Sequence, residues 1–263
     1  MIQCHDTGAP DSAGVDHGGT LTDVDQHARP HSTATGSARS AAIVAISTPA
    51  AAASATIYVP DGFVPALSDT RTSGHYAVVG TALHDYTDKV ADTSTAKVAE
   101  YVAAGVPLAA VGEPSLDYTR SFGIAPGFQL VVDFNGDGTN DGILVGETVY
   151  GSDWWASNGS AAFVKTGAPL TTSGSGSAYH GTLDVWRASF PNAVVSAFGF
   201  SLGSGVSADG VLNALQFNGD RYTFAKSVAL TSKSECTKDG WVTSTAPVFR
   251  NQGDCTRFFA SRR

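Results

Sequence analysis

Between Thr56 and about Phe224, apolar and polar residues alternate in short runs, and Gly, Asp or Ser interrupts each run. A period of two puts every second side chain on one face of a β-strand, so this alternation limits the fold more than any other feature. The runs fall at 56–59, 75–79, 82–86, 98–102, 129–133, 142–147, 161–165, 193–202, 210–217 and 221–224. Many short strands with almost no helical periodicity predict an all-β chain built as an antiparallel two-sheet sandwich. One short helix is expected after Thr182: Leu183, Trp186 and Phe190 share a face, and Pro191 ends it. Asn218-Gly219 between two apolar runs predicts a type I′ hairpin, because both residues tolerate the positive φ it needs.

Composition supports a folded chain without a nucleic-acid partner. Hydrophobic residues make up 42% and charged ones only 15%, whereas disorder needs the reverse balance. The formal charge of −8 and the lack of any basic run make the chain a poor match for a phosphate backbone, whose neutralisation needs clustered Lys and Arg. No apolar stretch approaches the roughly 18 residues that a membrane-crossing helix requires.

The segment that carries chemistry lies between the runs at 129–133 and 142–147. It reads Asp133-x-Asn135-x-Asp137-Gly138-Thr139-x-Asp141. Ca²⁺ takes six to eight oxygen ligands, and alternate side chains of a tight loop converge on one point. Asp133, Asn135, Asp137, Asp141 and the backbone carbonyl of Thr139 form the expected calcium site, with Gly138 at the sharp turn. Position 12 is Leu144 rather than a bidentate Glu, so the loop departs from an EF-hand, and Glu147 is the nearest later carboxylate. The alternative is an acidic turn held by side-chain hydrogen bonds alone.

This loop resembles those of FG-GAP-type propeller repeats, dockerins and thrombospondin type 3 repeats, but it occurs once, so no repeat array is expected. Further stretches extend the likeness: Tyr150-Gly151-Ser152-Asp153-Trp154-Trp155, the run from Phe198 to Val206, and the tail from Cys236 through Gly240-Trp241 to Asn251-Gln252-Gly253-Asp254-Cys255. Through them the chain is similar to a group of secreted actinobacterial proteins. That resemblance implies a concanavalin-like or jelly-roll sandwich and export from a Gram-positive cell, and transfers no activity.

Export has its own signal. Residues 41–46 are apolar and follow Arg39, and Ala53-Ser54-Ala55 fits a signal-peptidase site, so 39–55 reads as a signal peptide with Thr56 as the mature start. Residues 1–38, with His5, His17, His27 and His31 at no fixed spacing, read as disordered or as a mis-assigned start. Cys4 falls upstream of the cut, which leaves Cys236 and Cys255 to pair in an oxidising compartment. The organisation is then a β-sandwich over 56–228 and a disulfide-closed segment over 229–263.

Trp154 and Trp155, beside Asp153 and Asn158, are the candidate ligand residues, because indole faces stack on sugar rings while amide and carboxylate groups hold hydroxyls. Adjacent strand residues point to opposite faces, so one of the two is expected in the core. Gly199-Phe200-Ser201-Leu202-Gly203 matches a nucleophile elbow, but Phe198, Phe200 and Leu202 alternate as a strand and no helix can follow, so no catalytic serine is expected. Glycoside hydrolysis needs two carboxylates across a cleft, and Glu100, Glu113, Glu147 and Glu235 form no local pair. The reading is a secreted, calcium-stabilised binding module for a glycan or cell-wall polymer rather than an enzyme. A carboxylate hydrolase and an extracellular protein-interaction module are the alternatives.

Overall fold

Nine of the ten alternating runs fall in strands, and the described residues, which in this computed structural model are 53–88, 95–172 and 174–261, hold twelve strands in all. In chain order they are β1 (Ser54–Val59), β2 (His75–Val79), β3 (Ala82–Thr87), β4 (Lys97–Pro107), β5 (Ser115–Phe122) and β6 (Gly127–Asp133). After these come β7 (Gly142–Gly146), β8 (Asp153–Ala156), β9 (His180–Thr182), β10 (Val194–Gly203), β11 (Ala208–Phe217) and β12 (Asp220–Lys226). They make two six-stranded sheets. The first runs β1-β12-β11-β3-β2, with β5 also paired to β11, and the second runs β4-β10-β6-β7-β8-β9. Since β5 and β3 both pair with Asp209–Leu212 of β11, they lie on its opposite edges.

The sheets pack face to face. Ile57, Leu83, Leu212, Leu215 and Phe224 of the first meet Val98, Leu130, Val132, Phe198 and Phe200 of the second in one buried core. Phe198 stacks on Phe217 with centroids 4.1 Å apart, which ties the layers together. The outer face of the second sheet carries a smaller cluster, Ala99, Tyr101, Val131 and Ala197, against which Leu67 packs. The segment bearing Leu67 also covers the edge of β4, where Val64, Asp69 and Arg71 donate to the carbonyls of Tyr101, Ala99 and Lys97. An unpaired edge would otherwise invite association.

The pairing is antiparallel except for β1 on β12, which is parallel. No hairpin links those two strands, so turn geometry does not dictate their direction. Ser54 and Ala55, upstream of the expected mature start, pair with Arg221 and Tyr222. The expected hairpin is present: Asn218 and Gly219 adopt φ of 52° and 82° between Phe217 and Asp220.

Several elements depart from expectation. The run at 161–165 is a one-turn helix, α1 (Ala162–Thr166), because five residues with one buried apolar side chain, Val164, satisfy either period. Strands β5, β8 and β9 were not anticipated; β8 and β9 are only four and three residues long. The helix after Thr182 forms as α2 (Leu183–Ser189), although the Thr182 hydroxyl makes no capping bond. More than one helix is present, since the tail adds α3 (Gly240–Thr243) and α4 (Gln252–Ala260), the latter capped by the Asn251 side chain accepting from the Asp254 N–H at 2.8 Å.

Cys236 and Cys255 are joined, with Cα atoms 5.8 Å apart. They centre a separate small core with Phe249, packed by Leu230, Trp241, Phe258 and Phe259. All described residues belong to the unit spanning Pro49–Arg263. The expectations for 1–38 and for most of 39–55 lie outside the described residues, as does Cys4. Among the described residues, no helix is long and apolar enough to cross a membrane.

Candidate functional site

The hairpin of β6 and β7 has a different feature at each end. At its tip, residues 133–141 form the oxygen-rich bend, with φ of 78° at Gly136 and 90° at Gly138. Asp133 is buried at the end of β6 and organises the turn. Its Oδ1 accepts from the N–H groups of Gly136 (2.7 Å) and Asp137 (3.2 Å), and its Oδ2 from Gly138 (2.7 Å). Asn135 Oδ1 accepts from the Asp137 N–H, and Asp137 Oδ1 from the Thr139 N–H. Asp141 Oδ2 accepts from the Phe134 N–H at 2.8 Å and closes the bend. The Asn135 amide, followed by the Thr139 N–H, holds the Asp137 carboxyl below its usual range.

The donor set is all hard oxygen, which suits Ca²⁺, and each carboxylate oxygen accepting one N–H keeps a further lone pair. In the structure these side chains turn to the backbone, and among the described residues no group of three or more His, Cys, Asp or Glu side chains converges on a metal position. Leu144 is buried in β7, and Glu147 lies beyond the far end of that strand, so neither reaches the bend.

At the opposite end of the hairpin a cleft of about 500 Å³ opens between the sheets. Phe128 of β6, Trp154 of β8 and Leu116, Tyr118 and Arg120 of β5 line it, together with Glu113 and Glu147. Two glycines let the side chains of its wall pack closely on the backbone. A Cβ on Gly146 would fall 2.9 Å from the Trp154 indole, and one on Gly127 would fall 2.9 Å from Glu147 Cγ. Phe128 meets Trp154 edge to face, with centroids 6.1 Å apart. Glu113 accepts from Arg187 Nη1 at 3.0 Å. Exposed Val149 follows Thr148 at the cleft, and exposed Phe122 and Ile124 flank it between Arg120 and Ala125.

The four expected ligand residues do not form one surface. Trp154 is buried and reaches the cleft, and its carbonyl accepts from Trp186 Nε1 at 2.9 Å. Trp155 points to the outer face, donates Nε1–H to Glu147 Oε2 at 3.1 Å, and lies under Gly176, where a Cβ would collide with its ring. Asp153 is bound to His180 Nδ1 (2.9 Å) and the Ser175 hydroxyl (3.0 Å). Asn158 is exposed in the turn after β8, and its backbone carbonyl accepts from Lys165 Nζ at 2.6 Å. Ser201 sits within β10, and its Oγ has no partner.

Tyr118, Arg120, Leu116 and Phe128 went unrecognised in the sequence. The signal that pointed to the first three was alternation through Leu116, Tyr118 and Arg120 along β5. No protein-family model, curated protein or solved structure matches the chain.

Proposed function

We propose that this chain is a calcium-stabilised β-sandwich that works outside the cell and binds a glycan or cell-wall polymer in the cleft between its sheets. The observation that carries the reading is the composition of that cleft. Aromatic side chains of Tyr118, Phe128 and Trp154 offer apolar surface for a sugar ring, while Glu113, Arg120, Glu147, Ser115 and Ser152 offer groups for hydroxyls. The volume lies in the range of small-ligand sites. The Cys236–Cys255 bond supports an oxidising compartment. The oxygen-rich donor set of the bend supports calcium in a structural role, because the bend lies at the other end of the hairpin from the cleft.

A glycan array including cell-wall polymers, followed by calorimetry on each hit, tests this. Binding that Tyr118→Ala weakens at least tenfold and Asn158→Ala leaves unchanged supports the cleft. Binding nowhere on the array, or binding indifferent to Tyr118, removes the glycan reading and favours a protein partner.

A hydrolase is the second reading, and one observation favours it: Glu113 and Glu147, far apart in the chain, line the same cleft. Acid and base carboxylates across a sugar site are what glycoside hydrolysis needs. Reducing sugar released by the wild type and lost in both Glu113→Gln and Glu147→Gln would establish it.

A further inference from the structure

Asp85 lies on β3 between Leu83 and Thr87, and all three side chains point between the sheets and are fully buried. A carboxyl in such a place needs partners, and one other side chain supplies one: the Tyr118 hydroxyl donates to its Oδ1 at 3.0 Å. Its Oδ2 has no partner, and neither does Thr87 Oγ1. Tyr118 belongs to β5, on the far side of β11 from β3, and it reaches Asp85 by crossing Gly210. Gly210 is paired with Asp85 on one side and Arg120 on the other, and a Cβ there would run into the Tyr118 hydroxyl. The same tyrosine lines the cleft. The one side-chain hydrogen bond of a sealed acid therefore ends on a residue of the candidate ligand site.

We infer that Asp85 is the positioning residue of the cleft, and that its protonation state sets how firmly Tyr118 is held in the wall. The functional side of this inference rests on the cleft reading above; the Asp85–Tyr118 contact does not. A neutral carboxyl suits the burial: its carbonyl oxygen accepts from Tyr118, and one unpaired O–H replaces a buried charge. An ionised carboxylate would instead place a charge with a bare oxygen in a dry space. The charge tightens the hydrogen bond from Tyr118, and solvent entering by the cleft is the nearest source of donors for the bare oxygen.

The surrounding groups do not offset burial. His84 neighbours Asp85 on β3 but is paired with Asp209 of β11 at 3.3 Å. Tyr76 of β2 is the cross-strand neighbour, with Glu100 of β4 acting on it in turn. Burial, with a smaller push from the Asp209 charge, raises the Asp85 carboxyl to about 7 against the pull of the Tyr118 hydrogen bond, its own backbone N–H and His84. Burial, followed by the adjacent Asp85 charge, also raises the Tyr118 phenol.

The experiment is carbon NMR of the full chain labelled at tyrosine Cζ and aspartate Cγ, from about pH 5 to about pH 9, with Tyr118→Phe assigning the resonance. The expected result is a Tyr118 signal that titrates with a midpoint near 7, persists in His84→Ala and disappears in Asp85→Asn. A Tyr118 signal flat across the range, or a titration that survives in Asp85→Asn, overturns the inference. Should Asp85→Asn fail to fold, the wild-type Asp85 Cγ signal decides: it moves in step with Tyr118, or the inference falls. Loss of all glycan binding would sink the cleft reading and leave this titration standing, so the two failures are distinguishable.

Discussion

Phe128 and Asp133 stand at the two ends of β6: Phe128 in the wall of the cleft, Asp133 at the root of the oxygen-rich bend. At about 3.3 Å per residue they are roughly 17 Å apart along one rigid strand. A cation in the bend would fasten the hairpin without touching anything in the cleft, so metal and ligand should act on separate observables.

Calcium is accordingly expected to raise the melting midpoint by several degrees and to leave cleft affinity unchanged. Asp137→Ala should abolish the shift yet fold normally, because Asp137 is exposed. Asp133→Ala should destabilise even without calcium, by about 1–3 kcal/mol, since three backbone N–H groups lose their acceptor. Scanning calorimetry with calcium and with chelator checks this, and identical midpoints would sink the metal reading.

The two adjacent tryptophans should behave differently. Trp154 is 5% exposed and packs on Phe128, so Trp154→Ala should cost about 3–5 kcal/mol. Trp155 is half-buried on the outer face, and Trp155→Ala should cost clearly less while freeing Glu147 from its indole donor. Urea denaturation of both variants measures the difference; equal losses would contradict the opposed orientation.

Asp85 also makes stability depend on pH. Its carboxyl titrates near 3.8 in a solvated chain and at about 7 in the fold. Between those values the folded state holds a proton that the unfolded state has released, so stability falls as pH rises through the window. At about 1.36 kcal/mol per unit the loss is on the order of 4 kcal/mol. Asp69 and Asp117, both lowered, act in the opposite sense and only when the pH falls through the carboxylate range. Chemical denaturation near pH 5 and near pH 8 should show the fall in the wild type and a much smaller one in Asp85→Asn.

The disulfide closes a loop with a sequence separation of 19, and its removal should cost about 3 kcal/mol. The loss should be local, because Cys236, Phe249 and Cys255 form a core apart from the sandwich. Hydrogen exchange in Cys236→Ser/Cys255→Ser should speed up through α4 and stay slow in β6 and β10. Unchanged protection of α4 would show that the tail does not depend on its staple.

What could be read in advance follows from what is local. The β6–bend–β7 unit was legible because two apolar runs bracket a string of turn residues, and the Asn218–Gly219 hairpin because its backbone demand is met by those two residues alone. Strand β5 was harder: Asp117, Thr119 and Ser121 alternate with Leu116, Tyr118 and Arg120, but neither face is buried. The cleft was illegible as a unit. Tyr118 shares the cleft with Trp154 only because β5 pairs with β11 across a register of some ninety residues with two irregularities, and no single segment encodes such a pairing. Trp154 was singled out, but its partners there were not.

The Gly-x-Ser-x-Gly stretch separates two further variants. Gly199 lies against the Glu100 carbonyl where β10 pairs with β4, so a Cβ there has no room, and Gly199→Ala should cost more than about 3 kcal/mol by parting the two strands. Ser201, two residues on, is paired with Ala99 and Gly127 in mid-strand, and its buried Oγ has no partner. Ser201→Ala removes an unsatisfied hydroxyl, so stability should stay level or rise by up to about 1 kcal/mol. Any hydrolytic activity should survive that change intact. A Ser201→Ala protein that folds normally but loses turnover would mean that Ser201 is a nucleophile, and that β10 must open to expose it.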